Sequence, residues 1–205
     1  MTPVRFLIVR HGHVEGIDPF RFRGRRDLPL TETGKAQARA VARRIAATVH
    51  VDAIYASPLS RTLVTAQTIA RPLSLDVRVC EELIDIDYGR WHGLTIEEAR
   101  ETSPTELELW LNAPQLALIP DGETLPAVTA RAARAVGEIG RRHEGQTVCL
   151  VAHDTINRVM LAHALDLGLS HYWCLDQSPC CINELVLSGS SFRIVRMNDT
   201  AHLEG

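Results

Sequence analysis

The sequence predicts an α/β fold, a three-layer α/β/α sandwich whose sheet is mostly parallel, with at least one antiparallel strand near the C-terminus. Two observations predict it. Short apolar runs rich in Val and Ile alternate with longer stretches of helical periodicity, as in sheets covered by helices on both faces. Near the end of the chain, two strand-like runs lie on either side of the sequence SGSS at 188–191, a turn signal that indicates a hairpin.

The predicted elements follow in chain order. The apolar runs that predict parallel strands are 6–9, 53–56, 77–80 and 147–151. The amphipathic stretches that predict helices are 34–49, 60–70, 125–143 and 155–165. The hairpin strands are 182–187 and 192–196. Residues 94–124 contain three prolines and match no strand, so we expect a helical insertion that lies over the site.

The composition predicts one globular domain spanning residues 1–205. Of the 205 residues, 45% are hydrophobic and 23% are charged, as in folded chains. The formal net charge of −3 gives no reason to expect nucleic acid or an anionic membrane as a partner. The five cysteines have no metal-like spacing, and we see no signal peptide and no apolar run long enough to span a bilayer. These features favour a cytoplasmic protein; the oligomeric state, a homodimer included, stays open.

Polar side chains follow each predicted parallel strand. Arg10 and His11 follow the first strand, Arg61 lies in the first helical turn after the second, and His153 follows the fourth. The third strand leads into EELIDIDYG, an acidic cluster at 81–89. Ligands of open α/β sheets bind at the carboxyl ends of the strands. These residues therefore predict a site for an anion, with groups suited to acid–base chemistry.

The stretch FLIVRHGHVEG at 6–16 allows two interpretations. His11 and His13 could both bind a metal ion, or His11 could be a nucleophile with His13 in the neighbouring loop. A metal site would need further ligands, and the arginines would repel the cation. A phosphate site, in contrast, needs arginines, so the nucleophile is favoured.

Six motifs in order along nearly the whole chain resemble those of the histidine phosphatase superfamily, the phosphoglycerate mutase-like proteins. LIVRHG is similar to the nucleophile motif, and RFRGRRDLPLTETGKAQA to the loop and helix that follow it. SPLSRTLVTAQ resembles the second arginine motif, DIDYGRWHGLT the acid motif, DGETL the entry to a long helix and VAHDTINRVML the second histidine motif. The closing NDTAHL resembles the tail of the broad-specificity branch.

The resemblance implies a phosphomonoesterase that hydrolyses a small phosphorylated metabolite and needs no metal or other cofactor. His11 would attack phosphorus and form a phosphohistidine. A carboxylic acid would protonate the leaving oxygen and then activate water. The family position of that acid falls on Asp85, and Glu82 is the second candidate, otherwise a substrate contact.

The other implied roles concern binding. Three side chains would surround the phosphoryl oxygens: Arg10, Arg61 and His153. Gly12 would let the backbone approach the phosphoryl group, and the stretch at Arg23 and Gly24 would approach the rest of the substrate.

The chain departs from the family pattern at three positions. Asp85 stands where the family usually has a glutamate, and His13-Val14 stands where Glu or Ser followed by Thr is usual. Both departures concern leaving-group preference. The third, Asp154 after the second histidine in place of glycine, is expected to leave the chemistry unchanged.

Three alternatives to hydrolysis through a phosphohistidine remain. A phosphoglycerate mutase of the same family would keep the phosphoryl group from water, and the short chain and its tail favour a phosphatase over it. A non-catalytic phosphate-binding regulatory module would not need a nucleophile. A metallohydrolase built on His11 and His13 would lose its activity in a chelator.

Overall fold

The computed structural model describes residues 2–204 and contains one six-stranded sheet in the order β3-β2-β4-β1-β5-β6. The strands are β1 (Val4–Arg10), β2 (Ala53–Ala56), β3 (Val77–Val79), β4 (Thr147–Ala152), β5 (Ile182–Ser188) and β6 (Ser191–Asp199). The first four are parallel, whereas β5 runs antiparallel to β1, and β6 to β5. The predicted fold class is therefore confirmed, including the antiparallel hairpin near the C-terminus.

Six α-helices connect the strands. They are α1 (Glu32–Thr48), α2 (Ser60–Leu73), α3 (Ile96–Thr102), α4 (Pro104–Asn112), α5 (Leu125–Arg142) and α6 (Asp154–Ala164). Threonine side chains cap the first turns of α1 and α5, because Thr31 accepts from the Gly34 N–H and Thr124 from the Ala127 N–H. Among residues 2–204, none of these helices combines the length and the apolar composition needed to cross a membrane.

Apolar side chains cover both faces of the sheet, which explains why its strands are apolar throughout. Phe6 and Ile8 of β1 belong to one core cluster, and Leu7 and Val9 belong to the other. Residues of α5 and α6 complete the first cluster, and residues of α1 and α2 complete the second. Alternate residues of one strand thus face different helix layers, as the period of two in a strand requires.

The segment 94–124, expected to be helical, contains α3, α4 and a 3₁₀ turn at Pro114–Leu116. Its anchor is Trp110, a buried residue of α4. The Trp110 ring packs against Tyr88 and Tyr172, with both centroids at 5.6 Å. The aromatic cluster fixes α4 to the acidic motif at 81–89.

The polar residues that follow the parallel strands lie at one edge of the sheet. The carboxyl ends of β1, β2 and β4 lie there because these strands are parallel and adjacent. The antiparallel β5 begins at the same edge, since its Ile182 pairs with Val9 near the end of β1. The residues that precede β5 therefore reach this edge as well.

Candidate active site

His11 lies directly after β1, in a buried position. Only 2% of its surface is exposed, and its Nδ1 lies 2.7 Å from the carbonyl oxygen of Gly12. A carbonyl can only accept, so Nδ1 carries the proton and the lone pair of Nε2 stays free. Burial, together with the charges of Arg61 and Arg10, lowers the pKa of His11 well below its ordinary value. The imidazole is therefore neutral near pH 7, the form that can attack phosphorus.

Two buried arginines belong to the same cluster. Arg61 donates through its two Nη atoms to the carbonyl oxygens of Arg26 and Gly24, each at 2.7 Å. Arg10, the last residue of β1, donates to the carbonyl of Gln177. Backbone carbonyls carry no net charge, so these contacts fix the guanidinium groups without cancelling their positive charge. Both arginines can therefore attract an anion strongly in this poorly solvated position.

His153 occupies the N-cap position of α6. Its Nε2 lies 2.8 Å from the hydroxyl of Ser57, and its ring centroid lies 5.2 Å from that of His11. Burial is the main reason why the pKa of His153 also lies well below its ordinary value. When the Ser57 hydroxyl donates to Nε2, the proton of the neutral ring is on Nδ1, 3.7 Å from Oδ2 of Asp85.

Three buried nitrogens of this cluster have no hydrogen-bond partner within residues 2–204: Nε of Arg10, Nε of Arg61 and Nδ1 of His153. A buried polar group without a partner costs roughly 1–3 kcal/mol, and such groups are rare in native proteins. Three of them on functionally related side chains indicate a ligand rich in acceptor oxygens. A phosphoryl group, with three oxygens and a negative charge, has this chemistry.

Of the two acids that the sequence offers, Asp85 lies in the cluster. Its Oδ2 accepts from Nη2 of Arg61 at 3.2 Å, and its Oδ1 accepts from the backbone N–H of Ile86 at 3.0 Å. Burial raises the pKa of Asp85, and the charge of Arg61 opposes this only in part. The carboxylate of Glu82, in contrast, forms an ion pair with Arg134 at 3.3 Å, with both side chains partly exposed.

The two glycines singled out in the sequence are required by packing. A side chain at Gly12 would collide with the backbone of Gly34 in α1, and the Gly12 N–H donates to the hydroxyl of Thr65 at 3.2 Å. Gly24 has a φ of +45°, and a side chain there would collide with the carbonyl of Ile86. Gly12 therefore lets α1 approach the site, a reason that is independent of any phosphoryl group.

Arg23 lies between the buried cluster and the surface. It donates to the carbonyl of Gly16, and its guanidinium carbon lies 5.6 Å from the ring centroid of Phe20. Burial is the largest influence on the pKa of both His11 and Asp85, and the charge of Arg23 adds a smaller lowering effect to each. Arg23 is therefore within electrostatic range of the reacting groups.

His13 and Asp154, which lie close after His11 and His153 in the chain, contact groups outside the phosphate cluster or at its border. His13 Nδ1 lies 3.0 Å from the hydroxyl of Thr31, the N-cap of α1. Within residues 2–204, no three His, Cys, Asp or Glu side chains are grouped so that they could hold a metal ion. Asp154 accepts from Nε of Arg158 at 3.0 Å and lies 3.9 Å from Arg10. It thus lies close enough to a phosphate-site arginine to moderate its charge.

Comparison with known proteins decides the family. The family model described as the histidine phosphatase superfamily (branch 1) matches residues 6–200. The chain belongs to this superfamily. The resemblance of its six motifs is thereby confirmed.

Similar proteins agree with this assignment. Phosphoserine phosphatase 1 of Hydrogenobacter thermophilus is 33% identical over 200 residues, which are 98% of this chain and 94% of that protein. The bifunctional protein Rv2228c of Mycobacterium tuberculosis is 38% identical over 98% of this chain, which spans only 56% of that protein. The solved structure of Bacillus stearothermophilus YhfR superposes with a TM-score of 0.93 at 30% identity and covers 98% of this chain and 99% of its own. The chain is thus a phosphatase of the histidine phosphatase superfamily, with phosphomonoesterase activity, as the sequence predicts.

One component of this phosphatase site was missed by the sequence analysis. Gln177, whose carbonyl accepts from Arg10, is buried and held by amide contacts to Asn157 and Asn183, at 3.1 and 2.7 Å. The sequence search considered only residues that follow parallel strands, whereas Gln177 precedes an antiparallel one. The run of polar residues before the predicted strand at 182–187 is the signal that could have identified it.

Proposed function

We propose that this phosphatase hydrolyses a small phosphorylated metabolite through a phosphohistidine on His11. The free Nε2 lone pair of a neutral, buried His11 is the observation that supports this most directly. It lies in a cluster that also contains two arginines and three buried nitrogens without partners. A site that only bound phosphate would not need a neutral imidazole whose second nitrogen is fixed by a backbone carbonyl.

In the first step, Nε2 of His11 forms a bond to phosphorus as the bond from phosphorus to the leaving oxygen breaks. Asp85, in the protonated form that its burial favours, gives its proton to that oxygen. Arg10, Arg61 and His153 stabilise the charge on the phosphoryl oxygens. In a loose phosphoryl-transfer transition state, such positioning and charge stabilisation provide most of the catalysis.

In the second step, the Asp85 carboxylate takes a proton from water, and the water oxygen bonds to phosphorus. The bond from phosphorus to Nε2 breaks, inorganic phosphate leaves, and His11 is again neutral. Asp85 is again protonated, so both groups return to their starting states. No step requires a metal ion or another cofactor.

The segment 94–124 and the location of the protein complete the proposal. Trp110 of this segment packs on Tyr88, three residues after Asp85, which supports an insertion that borders the site. The protein acts in the cytoplasm: all five cysteines lie within the described residues, and all are free.

A mutase would use the same first step, and the phosphatase named among the similar proteins favours water as the acceptor.

The phosphohistidine can be trapped directly. Wild-type protein quenched during turnover of a ³²P-labelled substrate should carry a phosphoryl group that is labile in acid and stable in base. His11→Ala should carry none, and its turnover should fall by about 10⁶-fold, the scale seen when a nucleophile is removed. Substantial turnover by folded His11→Ala, or a label that is stable in acid, would contradict the proposal.

Metal dependence separates the proposal from the metallohydrolase alternative. We expect activity to survive prolonged treatment with a chelator, and vanadate to inhibit because it mimics five-coordinate phosphorus. The assay measures p-nitrophenyl phosphate turnover before and after chelation, with a zinc-dependent phosphatase treated in parallel. Activity that disappears in the chelator and returns with a divalent ion would favour the metal mechanism instead.

A further inference from the structure

We propose that Arg131, a residue of α5 outside the phosphate cluster, is a positioning residue for the general acid: it fixes the backbone that carries Asp85, so that the carboxyl group stays in the cluster. This inference rests on the proposed function, because it assumes that Asp85 is the acid. Arg131 is only 8% exposed and lies on the buried face of α5, between the core residues Val128 and Ala135. An arginine is rarely buried to this extent unless its charge is paired, so its position requires an explanation.

The guanidinium of Arg131 binds the backbone of the acidic motif. Its Nη1 donates to the carbonyl oxygens of Glu82 and Ile84, at 2.7 and 2.5 Å. Its Nη2 donates to the carbonyl oxygen of Asp85 at 3.2 Å. Residues 85–88 have no regular secondary structure, so this side chain supplies donors that a helix or a sheet would otherwise provide. Arg131 thus holds both the approach to Asp85 and the backbone of Asp85 itself.

Glu123 holds the same segment on the other side of Asp85. Its Oε1 accepts from Nε of Arg131 and its Oε2 from Nη2, both at 3.0 Å, the two-point geometry of a strong arginine–carboxylate pair. The same Oε2 accepts from the backbone N–H of Asp87 at 3.0 Å, and the Glu123 N–H donates to the carbonyl of Asp87 at 2.8 Å. The motif DGETL at 121–125, which has no part in the phosphoryl chemistry, thereby gains a role.

Arg131 acts through the backbone and not on the acid group itself. Within residues 2–204, its ion pair is with Glu123, whereas the Asp85 carboxylate pairs with Arg61 and lies 3.7 Å from His153. Because the aspartate side chain is short, a displacement of its backbone moves the carboxyl group by a similar distance. A misplacement of about 1 Å can cost roughly 10²-fold in rate when a group must meet a reacting atom. Loss of the contacts of Arg131 should therefore impair proton transfer.

The test replaces Arg131 by lysine, which keeps the positive charge and lacks the planar fork. The measurement is the burst phase with an alkyl phosphate, whose leaving oxygen needs a proton, and with p-nitrophenyl phosphate, whose leaving group does not. Arg131→Lys should slow phosphorylation by the alkyl phosphate by roughly 10- to 100-fold, and phosphorylation by p-nitrophenyl phosphate far less. A purely structural role would lower both rates by one factor, the fraction of protein that remains active, and leave their ratio unchanged.

Three further variants assign the effect to the position of the acid. Arg134→Gln removes the arginine three residues later in α5, which forms a partly exposed ion pair with Glu82 at 3.3 Å, and it should leave the ratio unchanged. Arg131→Lys combined with Asp85→Asn should lower the ratio no further than Asp85→Asn alone, because the positioned acid is then absent. Glu123→Gln should change the ratio in the same direction as Arg131→Lys, since an amide offers one acceptor oxygen in place of two. It provides the test if circular dichroism shows that Arg131→Lys does not fold.

The outcomes distinguish this inference from the proposed function. If Asp85→Asn lowers the alkyl and aryl rates equally, Asp85 is not the acid and the proposed function fails in that step. If Asp85→Asn shows the leaving-group dependence and folded Arg131→Lys does not, Arg131 is not a positioning residue. The inference is also overturned by a further fall of the ratio in the double variant, or by an equal fall in Arg134→Gln. If Arg131→Lys does not fold, an unchanged ratio in Glu123→Gln has the same consequence.

Discussion

The phosphate site and the loop at 21–26 use the same residue type in two different environments. Arg10 and Arg61 are 6% and 0% exposed, whereas Arg21 and Arg26 of the loop are exposed. A charge interaction is several times stronger in the protein interior than in water, and salt weakens exposed charges further. We therefore expect the buried pair to drive the chemistry, and substitution of the exposed arginines to change it far less.

The way each arginine is held differs as well. Arg61 is fixed by two backbone carbonyls and one carboxylate, and its Nε has no partner among the described residues. Arg21 instead pairs with an exposed glutamate, Glu98. Exposed ion pairs of this kind contribute roughly 0–1 kcal/mol. The buried Arg61 is therefore preorganised for a transition state, whereas the exposed Arg21 can rearrange around different ligands.

After the loss expected for His11→Ala, the largest effect tests whether burial also decides the roles of the two carboxylates. Asp85→Asn should slow phosphorylation by alkyl phosphates by roughly 10²–10⁴-fold, the range of general acid catalysis. It should slow phosphorylation by p-nitrophenyl phosphate far less, because p-nitrophenolate leaves without a proton. It should also remove the decline of the alkyl phosphate rate at high pH, since the acid acts only while it is protonated. The measurement is the burst phase in rapid-quench experiments with both substrate types.

Glu82→Gln is the matched control for Asp85→Asn. Glu82 lies three residues earlier in the chain and forms a partly exposed ion pair with Arg134. Its removal should alter neither the dependence on the leaving group nor the pH profile. If Glu82→Gln shows that dependence and Asp85→Asn does not, the acid has been assigned to the wrong residue and burial does not predict the role.

The next effect in size concerns the arginines themselves. Arg61→Ala should lose about 3 kcal/mol of transition-state stabilisation, or roughly 10² in kcat/KM, the scale of removing one preorganised donor. The loss should be much larger than that of Arg21→Gln, because Arg21 forms an exposed ion pair with Glu98. Circular dichroism establishes that the variant is folded, and partial rescue by added guanidinium ion identifies the missing charge. An equally large loss in Arg21→Gln would contradict the division between buried and exposed arginines.

Much of the fold was predictable because its signals are local. A strand that is buried on both faces is apolar at every position, as in the predicted strands 53–56 and 147–151, observed at Ala53–Ala56 and Thr147–Ala152. The hairpin follows from its turn sequence. The helix boundaries lie within three residues of the prediction because caps and amphipathic periodicity mark them.

The site was predictable only where residues follow parallel strands or match the family motifs. The sequence places His11, Arg61 and His153 at one edge, and the structure brings them together there. It does not reveal that Gln177 holds Arg10, because that contact spans 167 positions and depends on the direction of β5. The choice between Asp85 and Glu82 likewise depends on which of the two side chains is buried. The sequence of a short acidic motif does not reveal this, because either residue could face the interior.

The smallest expected effect concerns stability, and it reports whether the two active-site histidines are truly buried and neutral. The pKa values of His11 and His153 lie below the ordinary value of 6.5 in the folded protein. As the pH falls below about 6.5, the unfolded chain therefore binds protons that the folded protein does not, and stability decreases. Their contribution is fully present above pH 6.5 and is lost at lower pH. Asp85 has a raised pKa and acts in the opposite sense: its contribution is present below its ordinary value of 3.8 and is lost as the pH rises.

The measurement is the free energy of unfolding in urea at several pH values between 7.5 and 5, in buffers without phosphate, which would bind the site. Each histidine should contribute up to about 1.4 kcal/mol per pH unit to the slope. His11→Gln should therefore flatten the dependence by up to that amount. His50→Gln removes a histidine whose side chain is 87% exposed and should leave the slope as it is. If both variants show the wild-type slope, His11 becomes protonated as readily in the folded protein as in the unfolded chain, and the contrast between a buried site and an exposed loop loses its basis.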